Sequence, residues 1–131
     1  DALESYGRNL GIAFQIADDA LDYYSDENIF GKKIGKDFFE GKITLPVILL
    51  YEKSSENERL VLDSIFNKTQ RTNENFKFTL SLMKKYDSVA ECFKRAQHFS
   101  SLSFDALKVF KPSLEKSILQ NIISFCVNRN Y

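Results

Sequence analysis

The sequence is poor in cysteine, proline, glycine and tryptophan. Its 131 residues include two cysteines, two prolines, five glycines and no tryptophan. Cys92 and Cys126 form no CxxC pair and no cluster with histidine, which argues against a zinc site and favours two small buried thiols. The most apolar run, from Leu45 to Tyr51, is far too short to span a bilayer.

The sequence also has no excess of positive or negative charge. Lysine plus arginine and aspartate plus glutamate each number 18, so the formal net charge is zero. Bulk attraction to nucleic acid or to an anionic membrane is therefore not expected. Because no signal peptide is recognisable, we expect a cytoplasmic protein. With 44% hydrophobic residues, the chain has enough apolar material for a core.

The pattern of apolar residues predicts an all-α fold, because no alternating strand runs stand out and all five glycines precede residue 42. A capping box is predicted from Ser55 and Glu58, and a cap from Thr44 before Pro46. Helices are expected at about 2–24, 44–53, 55–67, 74–86 and 88–110, with a last helix opened by Pro112 and Ser113. On that last helix one apolar stripe is expected to comprise Leu114, Ile118, Ile122, Phe125 and Cys126.

Three carboxylates are crowded near the end of the first predicted helix. Asp18 and Asp22 share a helix face with Gln15, and Asp19 lies beside that face. Like charges at this spacing repel, so the cluster calls for a cation, and oxygen ligands alone favour Mg²⁺. A solvated acidic surface is the alternative.

Lysines follow the acidic turn within a glycine-punctuated loop. Gly31 precedes Lys32 and Gly41 precedes Lys42, so each lysine lies beside a residue that lets a ligand approach the backbone closely. A lysine is a point charge suited to phosphate, and these two could hold a diphosphate from the side opposite the metal. A solvated basic loop is the alternative.

Two segments carry a family resemblance: GRNLGIAFQIADDALDY and GKKIGKDFFEGKITLPVILL. Together they resemble the second aspartate-rich region of the trans-isoprenyl diphosphate synthases, and the form EGKxTLP is similar to that of the bacterial long-chain octaprenyl and solanesyl synthases. The specific match runs from Gly7 to about Leu50. It implies the C-terminal helices of the isoprenoid synthase fold.

The resemblance also implies a reaction and a set of roles. The reaction is Mg²⁺-dependent head-to-tail condensation of an allylic prenyl diphosphate with isopentenyl diphosphate. By position, the metal residues are Asp18, Asp19 and Asp22, with Asp37 in an outer shell. The catalytic residues are Gln15, Lys32 and Lys42, and these three bind the substrate together with Phe14. Of these, Lys32 and Lys42 are similar to lysines that grip the diphosphate, Gln15 to a glutamine facing the developing cation, and Phe14 to a wall of the prenyl site.

The chain contains no second DDxxD motif. We therefore expect residues 1–131 to be one partial domain that does not elongate prenyl chains alone, acting as a homodimer or with a complementary N-terminal chain. Phe14, Ile16 and Leu21 are expected to be partly exposed. Three other interpretations are a non-catalytic partner subunit, a terpene cyclase and a plain helical binding domain.

Overall fold

The computed structural model describes residues 1–24 and 34–127, and the regular structure within these ranges is helical, as predicted. The helices are α1 (Ala2–Leu21), α2 (Lys36–Phe39), α3 (Leu45–Lys53), α4 (Glu56–Phe66), α5 (Asn73–Tyr86), α6 (Ser88–Ala106) and α7 (Leu114–Val127), with a 3-10 helix at Leu107–Val109. In these ranges no helix has both the length and the apolar character needed to cross a membrane.

Reciprocal capping boxes lie at the start of two helices, α4 and α5. The Ser55 hydroxyl accepts a hydrogen bond from the Glu58 N–H at 3.2 Å, and Ser55 N–H donates to Glu58 Oε1 at 2.8 Å, which confirms the predicted capping box. Thr72 and Asn75 form a second box that was not predicted from the sequence. Thr44 is the N-cap residue of α3, but its side chain makes no capping hydrogen bond.

The structure divides into two compact units, which we describe separately. The first comprises residues 1–18 and the described residues from 93 onward. Its core contains Tyr6, Leu107 and Ile123. The Tyr6 hydroxyl donates to the Leu119 carbonyl at 2.8 Å, and the Ser103 hydroxyl donates to the Tyr6 carbonyl at 2.8 Å. These two bonds fix α1 to α6 and α7 within this unit.

The apolar stripe predicted on the last helix is not the face that packs against the core of this unit. Ile123 is buried, whereas Leu114, Ile118 and Phe125 are 72%, 49% and 78% exposed. The helix carries two overlapping apolar rows, and only the row that includes Leu119 and Ile123 packs against the core of this unit. Leu102 in α6 and Phe110, just beyond the 3-10 helix, are exposed as well.

The second unit comprises residues 19–92. Its core cluster is Tyr23, Phe38, Val47, Leu50, Leu62, Ile65, Leu82 and Met83. Phe38 is fully buried, and its ring centroid lies 5.0 Å from that of Phe76 and 5.5 Å from that of Phe66. One aromatic side chain thus anchors α2, which at four residues could not hold its shape by backbone hydrogen bonds alone.

Candidate active site at the acidic turn

The first helix ends at Leu21, three residues before the predicted Tyr24. Tyr23 N–H donates to the Ala20 carbonyl at 3.1 Å and Tyr24 N–H to the Leu21 carbonyl at 3.2 Å, and these bonds tighten the last turn. Asp22 therefore lies in a turn beyond α1 and is not presented on its surface.

The Asp22 carboxylate is bound by three consecutive backbone N–H groups. Oδ1 accepts from Gly35 at 3.2 Å and Lys36 at 3.1 Å, and Oδ2 accepts from Asp37 at 2.8 Å. Gly35 has φ 92°, a left-handed conformation that lets the three amides point the same way. Gly35 has no side chain to cap α2, so Asp22 supplies the cap from a distant part of the sequence.

The C-terminal end of α2 closes in a Schellman turn. Gly41, with φ 75°, donates its N–H to the Phe38 carbonyl at 2.9 Å, and Lys42 donates its N–H to the Asp37 carbonyl at 2.9 Å. This turn brings Lys42 back over the first part of α2. Its Nζ lies 3.8 Å from Asp37 Oδ1 and 3.2 Å from Glu40 Oε2.

The charges around α2 influence one another. Burial raises the pKa of Asp37, and Asp22 adds to the rise, while Lys42 opposes it. The pKa of Lys42 is raised, first by its hydrogen bond to Glu40 and then by the negative charge of Glu40 and Asp37. Because the Lys42 side chain is 59% exposed, its ammonium group can exchange these carboxylates for another anion.

Tyr23 is a polar residue at this site that sequence reasoning missed. Its side chain is 2% exposed, and its hydroxyl has no hydrogen-bond partner among the described residues. Burial raises its pKa, followed by the negative charges of Asp22, Asp37 and Asp19. The phenol is therefore a neutral donor beside three carboxylates, and its place next to Asp22 in the sequence was the available signal.

The remaining predicted site residues do not all lie in the same unit. Phe14, Gln15 and Asp18 are exposed on α1 in the first unit. Phe14 was expected to be partly exposed and is 38% exposed. Leu21 is only 7% exposed, so the expectation that it would be partly exposed was wrong. Asp19 is half-buried in the second unit. Lys32 lies outside the described residues.

The aspartates provide the donor type that Mg²⁺ prefers, although their arrangement does not form a complete metal site. Within residues 1–24 and 34–127, no three acidic, histidine or cysteine side chains lie close enough to hold an ion. Asp19, Asp22 and Asp37 all act on the Tyr23 hydroxyl, so their negative charge is concentrated in one region. Carboxylate oxygens without nitrogen or sulfur donors fit a hard cation that keeps several waters.

Comparisons with known proteins identify the family to which the chain is similar. The family described as Polyprenyl synthetase matches residues 1–83. Over 131 residues, 99% of this chain and 39% of the relative, the chain is 33% identical to octaprenyl diphosphate synthase from Haemophilus influenzae. It is 34% identical to a short chain isoprenyl diphosphate synthase from Methanothermobacter thermautotrophicus, with 99% of this chain and 39% of the relative covered.

A solved structure resembles the chain over a similar share of its length. The chain superposes on polyprenyl synthase from Caulobacter crescentus, complexed with calcium and isoprenyl diphosphate, with a TM-score of 0.86 and 33% identity. The match covers 98% of this chain and 39% of that one. The chain thus spans about two fifths of the length of these relatives.

Proposed function

The chain belongs to the polyprenyl synthetase family, and we propose that it contributes half of the active site of a polyprenyl diphosphate synthase. The reaction is the condensation of isopentenyl diphosphate with an allylic prenyl diphosphate. The observation that carries the proposal is the arrangement around α2, where Asp22 binds one end and Lys42 returns from the other to lie 3.8 Å from Asp37. Carboxylates for a metal and a lysine for a phosphate are thereby brought together around one short helix.

The proposed metal residues follow from the acidic motif. Asp18 would bind Mg²⁺ directly, Asp19 and Asp22 would bind it directly or through metal-bound water, and Asp37 would support them from the outer shell. Bound Mg²⁺ would stabilise negative charge on a departing diphosphate. The three N–H bonds to Asp22 hold that carboxylate in a fixed orientation, which lowers the cost of organising the site.

The proposed substrate residues precede and follow that motif in the sequence. Lys42, and Lys32 outside the described residues, would hold the diphosphate of the allylic substrate. Gln15 would turn its side-chain dipole toward the allylic cation that forms when the diphosphate leaves, and Phe14 would contact the prenyl chain. The double bond of isopentenyl diphosphate attacks this cation, and loss of a proton restores an allylic product.

Residues 1–131 contain a single DDxxD motif. We therefore expect the isolated chain to bind a diphosphate but not to elongate prenyl chains. We expect elongation to need a first aspartate-rich motif from outside residues 1–131, and we expect a homodimer or a pairing with a complementary N-terminal chain.

Calorimetric titration of an allylic diphosphate analogue, with and without Mg²⁺, tests the proposal. We expect weak binding that needs Mg²⁺ and is lost in Asp18→Ala. Asp105→Ala is a matched control, because Asp105 is an exposed acid whose neighbour is Lys108, at 3.0 Å. If the folded wild-type chain binds nothing in either condition, the proposal that it carries half of the site is wrong and the partner-subunit interpretation gains support.

A further inference from the structure

Arg71 lies in the link between α4 and α5, far from the Gly41 turn in sequence. Its Nη1 donates to the Lys68 carbonyl at 2.8 Å and lies 3.4 Å from the carbonyls of both Ile65 and Phe66. These carbonyls are at or just beyond the end of α4, where a positive charge is favourable. One edge of the guanidinium group is therefore fixed to the end of α4.

The other edge of the same group faces the turn that follows α2. Arg71 Nη2 lies 3.5 Å from the carbonyl oxygen of Phe39, the last residue of α2. A Cβ placed on Gly41 would be 2.7 Å from Nη2 and 3.0 Å from Cζ, so the guanidinium plane covers the α-carbon of Gly41. A side chain at residue 41 could be accommodated only if Arg71 moved.

We propose that Arg71 is a positioning residue for Lys42. Its guanidinium group supports the Gly41 turn from behind and fixes that turn to the end of α4. The Gly41 turn places Lys42 beside Asp37, because the Lys42 N–H donates a hydrogen bond to the Asp37 carbonyl. As far as it concerns ligand binding, this inference rests on the function proposed above for Lys42.

The shape of the arginine side chain matters for this role. A planar fork can reach Lys68 on one side and Phe39 on the other, whereas a lysine ammonium is a single point charge. In Arg71→Lys the charge at the end of α4 remains, but the contact with the Gly41 turn is lost. This variant therefore separates the capping of α4 from the positioning of Lys42.

Arg59 offers a matched control in the same unit. Its Nε donates to the Tyr51 carbonyl at 2.8 Å and its Nη2 to the Glu52 carbonyl at 2.8 Å, so it also bonds carbonyls near the end of a helix. Neither bond involves the Gly41 turn. Arg59→Ala removes a comparable set of bonds and leaves the surroundings of Lys42 unchanged.

The first readout is amide hydrogen exchange by NMR in the full chain. We expect Arg71→Lys and Arg71→Ala to reduce the protection of the Gly41 and Lys42 amides by about tenfold, the effect of losing roughly one hydrogen bond. Arg59→Ala should leave both amides protected. Unchanged protection of both amides in Arg71→Lys would overturn the inference, and this result does not depend on any ligand.

The second readout is the Mg²⁺-dependent affinity for inorganic pyrophosphate. We expect Arg71→Lys to weaken binding about tenfold and Arg59→Ala to leave it unchanged. Equal affinity of Arg71→Lys and the wild type would overturn the role in binding. If the wild type binds no pyrophosphate, the proposed function is wrong, while the exchange result still decides whether Arg71 positions Lys42.

Discussion

The carboxylate of Asp22 accepts a hydrogen bond from the backbone N–H of Asp37, with 2.8 Å between Oδ2 and the nitrogen. Fifteen residues separate the two aspartates, and this bond makes one a cap for the helix that carries the other. The third aspartate of the DDxxD motif therefore has an architectural role in addition to any part in metal binding.

Asp22→Ala should loosen α2, whereas Asp18→Ala should not. Loss of a capping carboxylate costs about 0.5–2 kcal/mol, and we expect a decrease of this size in the free energy of unfolding of Asp22→Ala. The amides of Gly35, Lys36 and Asp37 should lose protection from hydrogen exchange at the same time. An Asp22→Ala chain with these three amides still protected would contradict the capping role.

Alanine should have opposite effects at two glycines. Gly41 has φ 75° and lies against Arg71, so Gly41→Ala combines backbone strain with a clash and should reduce stability by about 1–3 kcal/mol. Gly11 lies within α1, where an added Cβ would meet no atom within 4 Å, and Gly11→Ala should increase stability by about 0.5–1 kcal/mol. Urea denaturation of both variants measures the difference. Equal effects at the two positions would refute this account of Gly41.

Glu58 should make stability depend on acidic pH. Hydrogen bonds from the Tyr86 hydroxyl, the Ser55 N–H and Lys85 lower the pKa of Glu58 to about 2. Because this pKa is lowered on folding, the stabilisation is complete above the ordinary value of 4.5 and is lost as the pH falls toward 2. The stability difference between wild type and Glu58→Gln should therefore shrink over this range.

The matched control for Glu58 is Glu56→Gln, in the first turn of the same helix. Because Glu56→Gln leaves the hydrogen bonds of Glu58 in place, this variant should lose stability toward acidic pH as the wild type does. Thermal denaturation at several pH values measures both differences, and NMR titration gives the pKa of Glu58 directly. A Glu58 carboxyl that titrates near its ordinary value of 4.5 would rule out this explanation.

Removal of Glu40 should make Lys42 more available to an anion. Glu40 is the nearer carboxylate to Lys42, at 3.2 Å, and competes with any phosphate for the same ammonium group. We expect Glu40→Gln to increase Mg²⁺-dependent pyrophosphate affinity about two- to fivefold, in keeping with the modest strength of an exposed ion pair. Calorimetry measures the change, and weaker binding in Glu40→Gln would show that Glu40 assists the ligand.

The exposed row on α7 should promote association of the isolated chain. Leu114, Ile118, Ile122 and Phe125 follow one another along this helix and are all exposed. Contiguous apolar surface of this kind favours contact with other protein surfaces. Sedimentation velocity should show association that depends on concentration and decreases in Phe125→Ser, but not in Asn121→Ser. Equal behaviour of the two variants would mean that the row is not responsible.

The sequence predicted correctly the features that depend on residues close together in the chain. The Ser55 and Glu58 capping box joins residues three apart, and its two hydrogen bonds formed as predicted. The same holds for the all-α class and for the family, because the acidic motif and the EGKITLP segment are continuous stretches. In α7, by contrast, two apolar rows have the same period, and periodicity alone could not show which one packs against Tyr6 and Leu107.

The sequence by itself determined the all-α class and the family, and it predicted a chemistry, since oxygen donors beside Gly-Lys pairs suit a hard cation and a phosphate. Only the tertiary structure decided how the described parts of this region are held. Asp22 caps α2 from thirteen residues before Gly35, and Arg71 supports the Gly41 turn from far beyond it in the chain. Such contacts depend on where Phe38 anchors α2 in the core, and no spacing along the chain specifies that position.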